Sequence, residues 1–239
     1  MSYYVRLMQR EDIAQVTDID REAFPTDWPA TNYEHELQNR LAHYIVACDE
    51  EKIVDELEVK AYPKGSLSGL VTKVRRLFNH DWFFGNELPP LGKQYITGFI
   101  GFWIMAGEAH ITDIAVREKY RRQGIGELLL ISAVDLAAEL KAYIITLEVR
   151  VSNTSAQSLY YKYGFTQTGL RRGYYTDNGE DGIVMSTENI TSASFQALLQ
   201  QLKQNHSRKW GIPYTRLPDS PHRERQVVDS QCYNIDERS

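Results

Sequence analysis

What this chain has little of narrows it quickly. Two cysteines, Cys48 and Cys232, stand far apart in 239 residues. They make no metal-ligand cluster and argue for a reducing compartment, with a single disulfide left open. Long apolar runs are missing too: the longest uncharged stretch, Tyr95–Gly107, is too short to span a bilayer. Arg6, Arg10, Glu11 and Asp12 interrupt the start, so no signal peptide is read there. A cytoplasmic protein is expected. There is no excess of positive charge. A formal net charge of −5 speaks against a general nucleic-acid binder and is compatible with a basic peptide as partner. His110 and the other histidines have no metal-ligand spacing, so no metal is expected.

An apolar fraction of 42% is enough for a core, and the length suits one domain with additions. Arg10–Phe24 has helical periodicity through Ile13, Val16, Ile19 and Ala23. Pro25 and Pro29 break it. Thr31 and Glu34 suggest a capping box before a stripe of Tyr33, Leu37 and Leu41. Strands are predicted at Tyr44–Cys48, Thr97–Met105, Ala109–Val116 and Tyr143–Val149, with a turn at Ala106-Gly107-Glu108. Helices are predicted at Gly124–Leu140 and at Thr154–Tyr163, the second stopped by Gly164. Phe165–Tyr174 and Gly182–Ser186 read as a closing pair around Asn178-Gly179.

Two segments leave this rhythm. Residues 55–94 interrupt a hairpin that would join Ile53-Val54 to Thr97-Gly98. They carry an apolar stripe (Leu67, Leu70, Val71, Val74, Phe78) and the cluster Trp82-Phe83-Phe84. That insertion could bind a partner, a second subunit or a membrane surface, or simply pack on its own domain. The expected division is a catalytic domain over 1–190 and an extension over 191–239, a helix followed by a flexible tail.

The segment most informative about chemistry is Arg121-Arg122-Gln123-Gly124-Ile125-Gly126. It lies between the strand ending Ile114-Ala115-Val116 and a long helix. The first amides of a helix lack internal partners and sit at the positive end of its dipole. Glycines at 124 and 126 permit close approach of backbone to a pyrophosphate, and Arg121 and Arg122 add charge. The spacing fits neither the Walker nor the dinucleotide pattern. On its own it could be a tight strand-to-helix turn.

This loop resembles that of the GNAT acetyltransferase superfamily, whose pattern is Arg/Gln-x-x-Gly-x-Gly/Ala. Further along, Leu147-Glu148-Val149-Arg150, Ser152-Asn153, Leu159-Tyr160, Tyr163-Gly164-Phe165 and Arg171-Arg172-Gly173-Tyr174-Tyr175 resemble the RimI-type ribosomal protein alanine N-acetyltransferases. Ala23-Phe24-Pro25 with Trp28 is similar to that group's substrate-side loop, although relatives often have the tryptophan closer to the proline. The resemblance covers roughly 3–54 and 95–188. It implies a mixed α/β fold with a mostly antiparallel central sheet flanked by helices. It also implies acetyl-CoA as co-substrate, with Ile114, Ala115, Val116 and residues 121–126 on the cofactor.

Acetyl transfer needs a neutral amine, a held thioester, a site for the oxyanion and a proton for the thiolate. Glu148, ending an apolar strand, is the expected base; otherwise it is a surface residue or a partner for Arg150. Tyr160, twelve positions on, is the expected acid; otherwise it is a core aromatic. Asn153 reads as a helix cap, to which the resemblance adds a cofactor contact. A backbone amide at Val116 would hold the oxyanion. Phe24, Trp28, Tyr174, Tyr175, Glu180 and Asp181 are expected on the acceptor side, the acidic pair either drawing in a basic peptide or forming a solvated hairpin end. The implied acceptor is the N-terminal alanine of a small-subunit ribosomal protein. Lysine side chains, small-molecule amines and a non-catalytic CoA-binding role are the alternatives.

Overall fold

The computed structural model describes residues 2–24, 31–54, 94–212 and 217. The insertion's apolar stripe, Trp28, Cys232 and the end of the tail lie outside the described residues. Seven strands form one sheet in the order β1-β2-β3-β4-β5-β7-β6. They are β1 (Tyr3–Leu7), β2 (Ala42–Ile53), β3 (Gln94–Met105), β4 (Glu108–Val116), β5 (Ile144–Arg150), β6 (Phe165–Tyr175) and β7 (Glu180–Thr187). The helices are α1 (Ile13–Ala23), α2 (Tyr33–Glu36), α3 (Ile125–Glu139), α4 (Thr154–Lys162) and α5 (Ala193–Trp210). This is the mixed, mostly antiparallel architecture that the resemblance implied.

Among the described strands only β4 and β5 run parallel. Their pairing stops at Ile111↔Leu147, after which Thr112–Val116 and Glu148–Arg150 have no partner in each other. A register shift in β4 helps to cause this. Gly101 pairs with Asp113 and Phe102 with Ile111, so Thr112 is bulged out. The strands part at the middle of the sheet.

Alternation divides the sheet into two faces. Ile145, Leu147 and Val149 of β5 pack with α3 in the larger core cluster, joined by Tyr160 and Phe165. A second cluster on β2, β3 and β4 takes Val16 and Ile19 of α1 and Tyr33 of α2. β1 is fastened by a buried pair: the Arg6 guanidinium donates to both oxygens of Asp12, at 2.5 and 2.8 Å, and also to Gln94 at 3.1 Å.

Several expectations are adjusted. The cap of α2 is Asn32, whose side chain accepts from the His35 amide, not Thr31. That helix is four residues long, so Leu41 falls beyond it and is 46% exposed. β2 is far longer than Tyr44–Cys48: β1 pairs with it from Ile45 to Asp49, and β3 carries the pairing from Ala42 to Ile53. Ile53 pairs with Gln94, so the hairpin around the insertion is closed at its base. Cys48 is a buried free thiol whose burial pushes its pKa up to about 11. No helix among the described residues is long and apolar enough to cross a membrane.

Candidate active site

The opening between β4 and β5 is bordered by Glu148 on β5 and by the end of β4 that leads into residues 121–126. On its donor side, the loop 121–126 carries two left-handed residues, Arg122 at φ 62° and Gly124 at φ 84°. A non-glycine in that region is strained and persists only when its surroundings hold it. The holding contacts are on hand. Arg121 Nε donates to the Val116 carbonyl at 3.1 Å. Gln123 Nε2 donates to the Lys119 carbonyl at 3.0 Å, and Gln123 Oε1 accepts from the Tyr3 hydroxyl at 2.6 Å. Gln123 therefore offers a ligand its backbone, not its side chain. Arg121 and Arg122 are exposed.

The loop suits a pyrophosphate. Gly124 caps α3, so the amides of Ile125, Gly126 and Glu127 have no partner within the helix. A Cβ at Gly126 would meet nothing closer than 3.9 Å, so this side of the loop is open. The amide of Arg117 bonds to Thr97 on β3. Because successive amides alternate in direction, that of Val116 points the other way, into the opening.

Glu148 lies on the sheet face opposite α3, and its side chain is 5% exposed. It sits between one cation and one imidazole. Arg171 Nη2 is 2.9 Å from one carboxylate oxygen, and His110 Nε2 is 3.2 Å from the other. The His110 hydrogen bond, then the charges of His110 and Arg171, outweigh burial and hold the Glu148 pKa below its usual value. The partner of Glu148 is thus His110 and Arg171 rather than Arg150, which is engaged with Asp177 and Glu180.

His110 is the functional candidate that sequence reasoning passed over. Its Nδ1 lies 2.9 Å from the Thr146 hydroxyl oxygen, and that hydroxyl donates to Glu108 at 2.5 Å. With the single hydroxyl proton directed at Glu108, Thr146 accepts from Nδ1–H. Nε2 is then left facing the carboxylate. The His110 ring thus borders the Glu148 carboxylate within ion-pair distance. The sequence held one signal for this: parallel pairing sets His110 beside Thr146, two residues before Glu148 on the same face.

Tyr160 is buried and belongs to the core cluster on the α3 face. It packs on Phe165 with ring centroids 5.6 Å apart. Burial, and then the charge of Tyr175, push its pKa well up, so its phenol stays protonated. Glu148 and Tyr160 belong to opposite faces of the sheet. Tyr175 neighbours both: burial comes first among the causes that push its pKa up to about 12, and Glu148 adds to them. Tyr174 crosses Tyr175 edge to face at 5.1 Å, and its own raised pKa reflects burial first and Glu148 second.

Other expected residues are engaged internally. Asn153 caps α4, accepting from the Ala156 amide at 3.1 Å. Glu180 accepts from the Ser152 amide at 2.7 Å and from Arg150 at 3.3 Å, which lowers its pKa to about 2. Asp181 accepts from the Gly173 amide at 2.8 Å. These carboxylates brace their own hairpin. Phe24 ends α1 and is 42% exposed.

A carboxylate absent from the sequence reading also lies here. Asp113 on β4 has its pKa pushed up to about 6, by burial first and then by Asp20 and Glu36, against a hydrogen bond from Thr112.

A parted parallel strand pair, with a glycine turn at a helix start on one side and the Glu148 carboxylate on the other, suits an acyl-CoA-dependent transferase. The comparisons agree. The profile of the Acetyltransferase (GNAT) family matches residues 56–165. A Bacillus subtilis protein, provisionally named [ribosomal protein bS18]-alanine N-acetyltransferase, is 36% identical over 182 residues, covering 76% of this chain and 92% of the relative. An N-alpha-acetyltransferase of Sulfurisphaera tokodaii is 30% identical over 187 residues, covering 77% and 92%. The crystal structure of the ribosomal-protein-S18-alanine N-acetyltransferase from Escherichia coli shares the fold, with a TM-score of 0.55 at 21% identity, covering 80% of this chain and 96% of that one. The chain belongs to the GNAT acetyltransferase family. It is an acetyl-CoA-dependent N-acetyltransferase.

Proposed function

We propose that the enzyme acetylates the α-amine of a protein N-terminus, and that its acceptor is the N-terminal alanine of a small-subunit ribosomal protein. The names of the relatives support the acceptor class. The observation that carries the reading is the Glu148–His110 pair at 3.2 Å. A carboxylate held below its usual pKa is a weak base. It suits an amine that is already partly neutral. An α-amine titrates near about 8 and a lysine near about 10.4, so at neutral pH the α-amine is roughly two orders of magnitude more available.

In this reading residues 121–126 bind the pyrophosphate of acetyl-CoA, and the open edge of β4 from Ile114 to Val116 lines its pantetheine arm. The amine enters between Tyr174, Tyr175 and Phe24. Glu148 takes its proton, directly or through a water, as nitrogen attacks the thioester carbonyl. The Val116 amide receives the developing oxyanion. Tyr160 gives its proton to the departing thiolate. Residues 1–190 form the catalytic domain and 191–239 an extension.

The test uses two matched peptides and follows thiol release from acetyl-CoA. One has a free N-terminal alanine followed by basic residues. The other has a blocked N-terminus and one free internal lysine. Turnover of the first alone is expected. Turnover of the second alone would move the activity to lysine and overturn the proposal.

A further inference from the structure

The helix α5 lies outside the stretch that resembles the RimI group, yet it reaches the loop that meets the acyl donor. It is built to stay in place. Ser192 caps its start, accepting from the Phe195 amide. Phe195, Leu199 and Leu202 enter the main core. Lys203 Nζ is 2.7 Å from the Asp135 carboxylate on α3. Gly211, at φ 67°, ends it.

Its last two turns close on Gly124. The His206 side chain is buried, and its Nε2 lies 2.9 Å from the Gly124 carbonyl. That carbonyl also accepts the Leu128 amide at 3.0 Å, so Nε2 must carry the proton. Trp210 fills the space a side chain at 124 would need: a Cβ there would fall 2.6 Å from the indole Cδ1. Gly124 is therefore glycine for two reasons, its left-handed backbone and the ring against it. The missing side chain makes room for α5 rather than for the cofactor.

We propose that α5 is a strut that fixes the pyrophosphate loop in its binding shape, with His206 and Trp210 as positioning residues for the acyl donor. This rests on the reading that residues 121–126 receive the pyrophosphate. The loop needs left-handed backbone at Arg122 and Gly124, on either side of Gln123. Tyr3 and Lys119 hold Gln123 from one side, and α5 holds Gly124 from the other. A loop already shaped for an anion loses less freedom on binding it, so donor affinity rises without a new contact to the donor. The neutral Nε2–H form suffices. Burial, aided by Lys162 and Lys209, lowers the His206 pKa, while the Gly124 carbonyl and Glu127 act the other way.

The experiment compares CoA with pantetheine, which lacks the pyrophosphate, by calorimetry on the full chain. The wild type should bind CoA far more tightly than pantetheine; equal affinities would remove the loop reading itself. His206→Leu should weaken CoA about tenfold, the size of one lost hydrogen bond, and leave pantetheine unchanged. His206→Gln, which can still donate, should recover most of that loss. In turnover, the KM for acetyl-CoA should rise in His206→Leu while kcat at saturation stays within about twofold. Should His206→Leu fail to fold, Trp210→Phe carries the same comparison, with an expected loss of about threefold. Equal losses for CoA and pantetheine, or no loss for either, would overturn the strut.

Discussion

The two halves of the cleft are built differently. The donor half is a backbone loop and a helix start, pinned by contacts from β1, α5 and the loop itself. The acceptor half is a set of side chains from separate strands: His110 on β4, Glu148 on β5, and Arg171, Tyr174 and Tyr175 on β6. A phosphate-binding loop is written in consecutive residues, so sequence shows it. A proton-handling group is assembled across strands, so only pairing shows it. The donor half should respond to substitution through affinity and stability, and the acceptor half through turnover and pH.

The largest separation of the halves should come from Glu148→Gln. It leaves the loop untouched and removes the carboxylate that faces His110 and Arg171. A fall in kcat of about 10²–10⁴ is expected with CoA affinity unchanged, measured by turnover and calorimetry in parallel. Equal loss in both measurements would mean that the two halves are not separable.

Gly124→Ala is the matching test of the donor half. It places a side chain at φ 84° and 2.6 Å from Trp210. A loss of about 2 kcal/mol or more in denaturant unfolding is expected, with weakened CoA binding. Unchanged stability would show that α5 yields readily.

Asp113 tests the electrostatics of the acceptor side. Its folded pKa, about 6, lies above its ordinary 3.8. Folding therefore favours the protonated form. The penalty is absent below pH 3.8, grows as pH rises to 6, and is constant above. Asp113→Asn should raise unfolding stability at pH 7–8 by about 2 kcal/mol, a gain that vanishes below about pH 4. A gain of equal size at both pH values would exclude this carboxylate as its source.

The smallest effect is expected from Glu180→Gln. Glu180 braces Ser152 and Arg150 rather than facing an acceptor. Turnover of a basic N-terminal peptide should change by less than about threefold. A larger rise in KM confined to basic peptides would return this residue to the acceptor groove.

Most elements were legible before the structure, because each carried a local signal. α3 follows its apolar repeat from Gly124, α4 stops at Gly164 in the left-handed region, and the β6–β7 turn falls at Asn178-Gly179. The errors came where a neighbour decided. β2 runs to Ile53 because β3 pairs with it there, and α2 starts after Asn32, whose side chain caps it in place of Thr31, and ends at Glu36. Glu180 and Asp181 looked available because charge is visible in sequence and its partners are not.

The chain order of most strands and helices and the glycine turn into α3 were determined by the sequence, which also nominates Glu148 and Tyr160, since each rests on residues close together in the chain. Three matters were left to the tertiary structure: the approach of His110 and Arg171 to Glu148, the internal commitment of the hairpin carboxylates, and the closure of α5 on Gly124. Each joins residues distant in sequence or set on different strands. Hydrogen-bond and ion-pair energies depend on ångström separations that only the packed sheet sets.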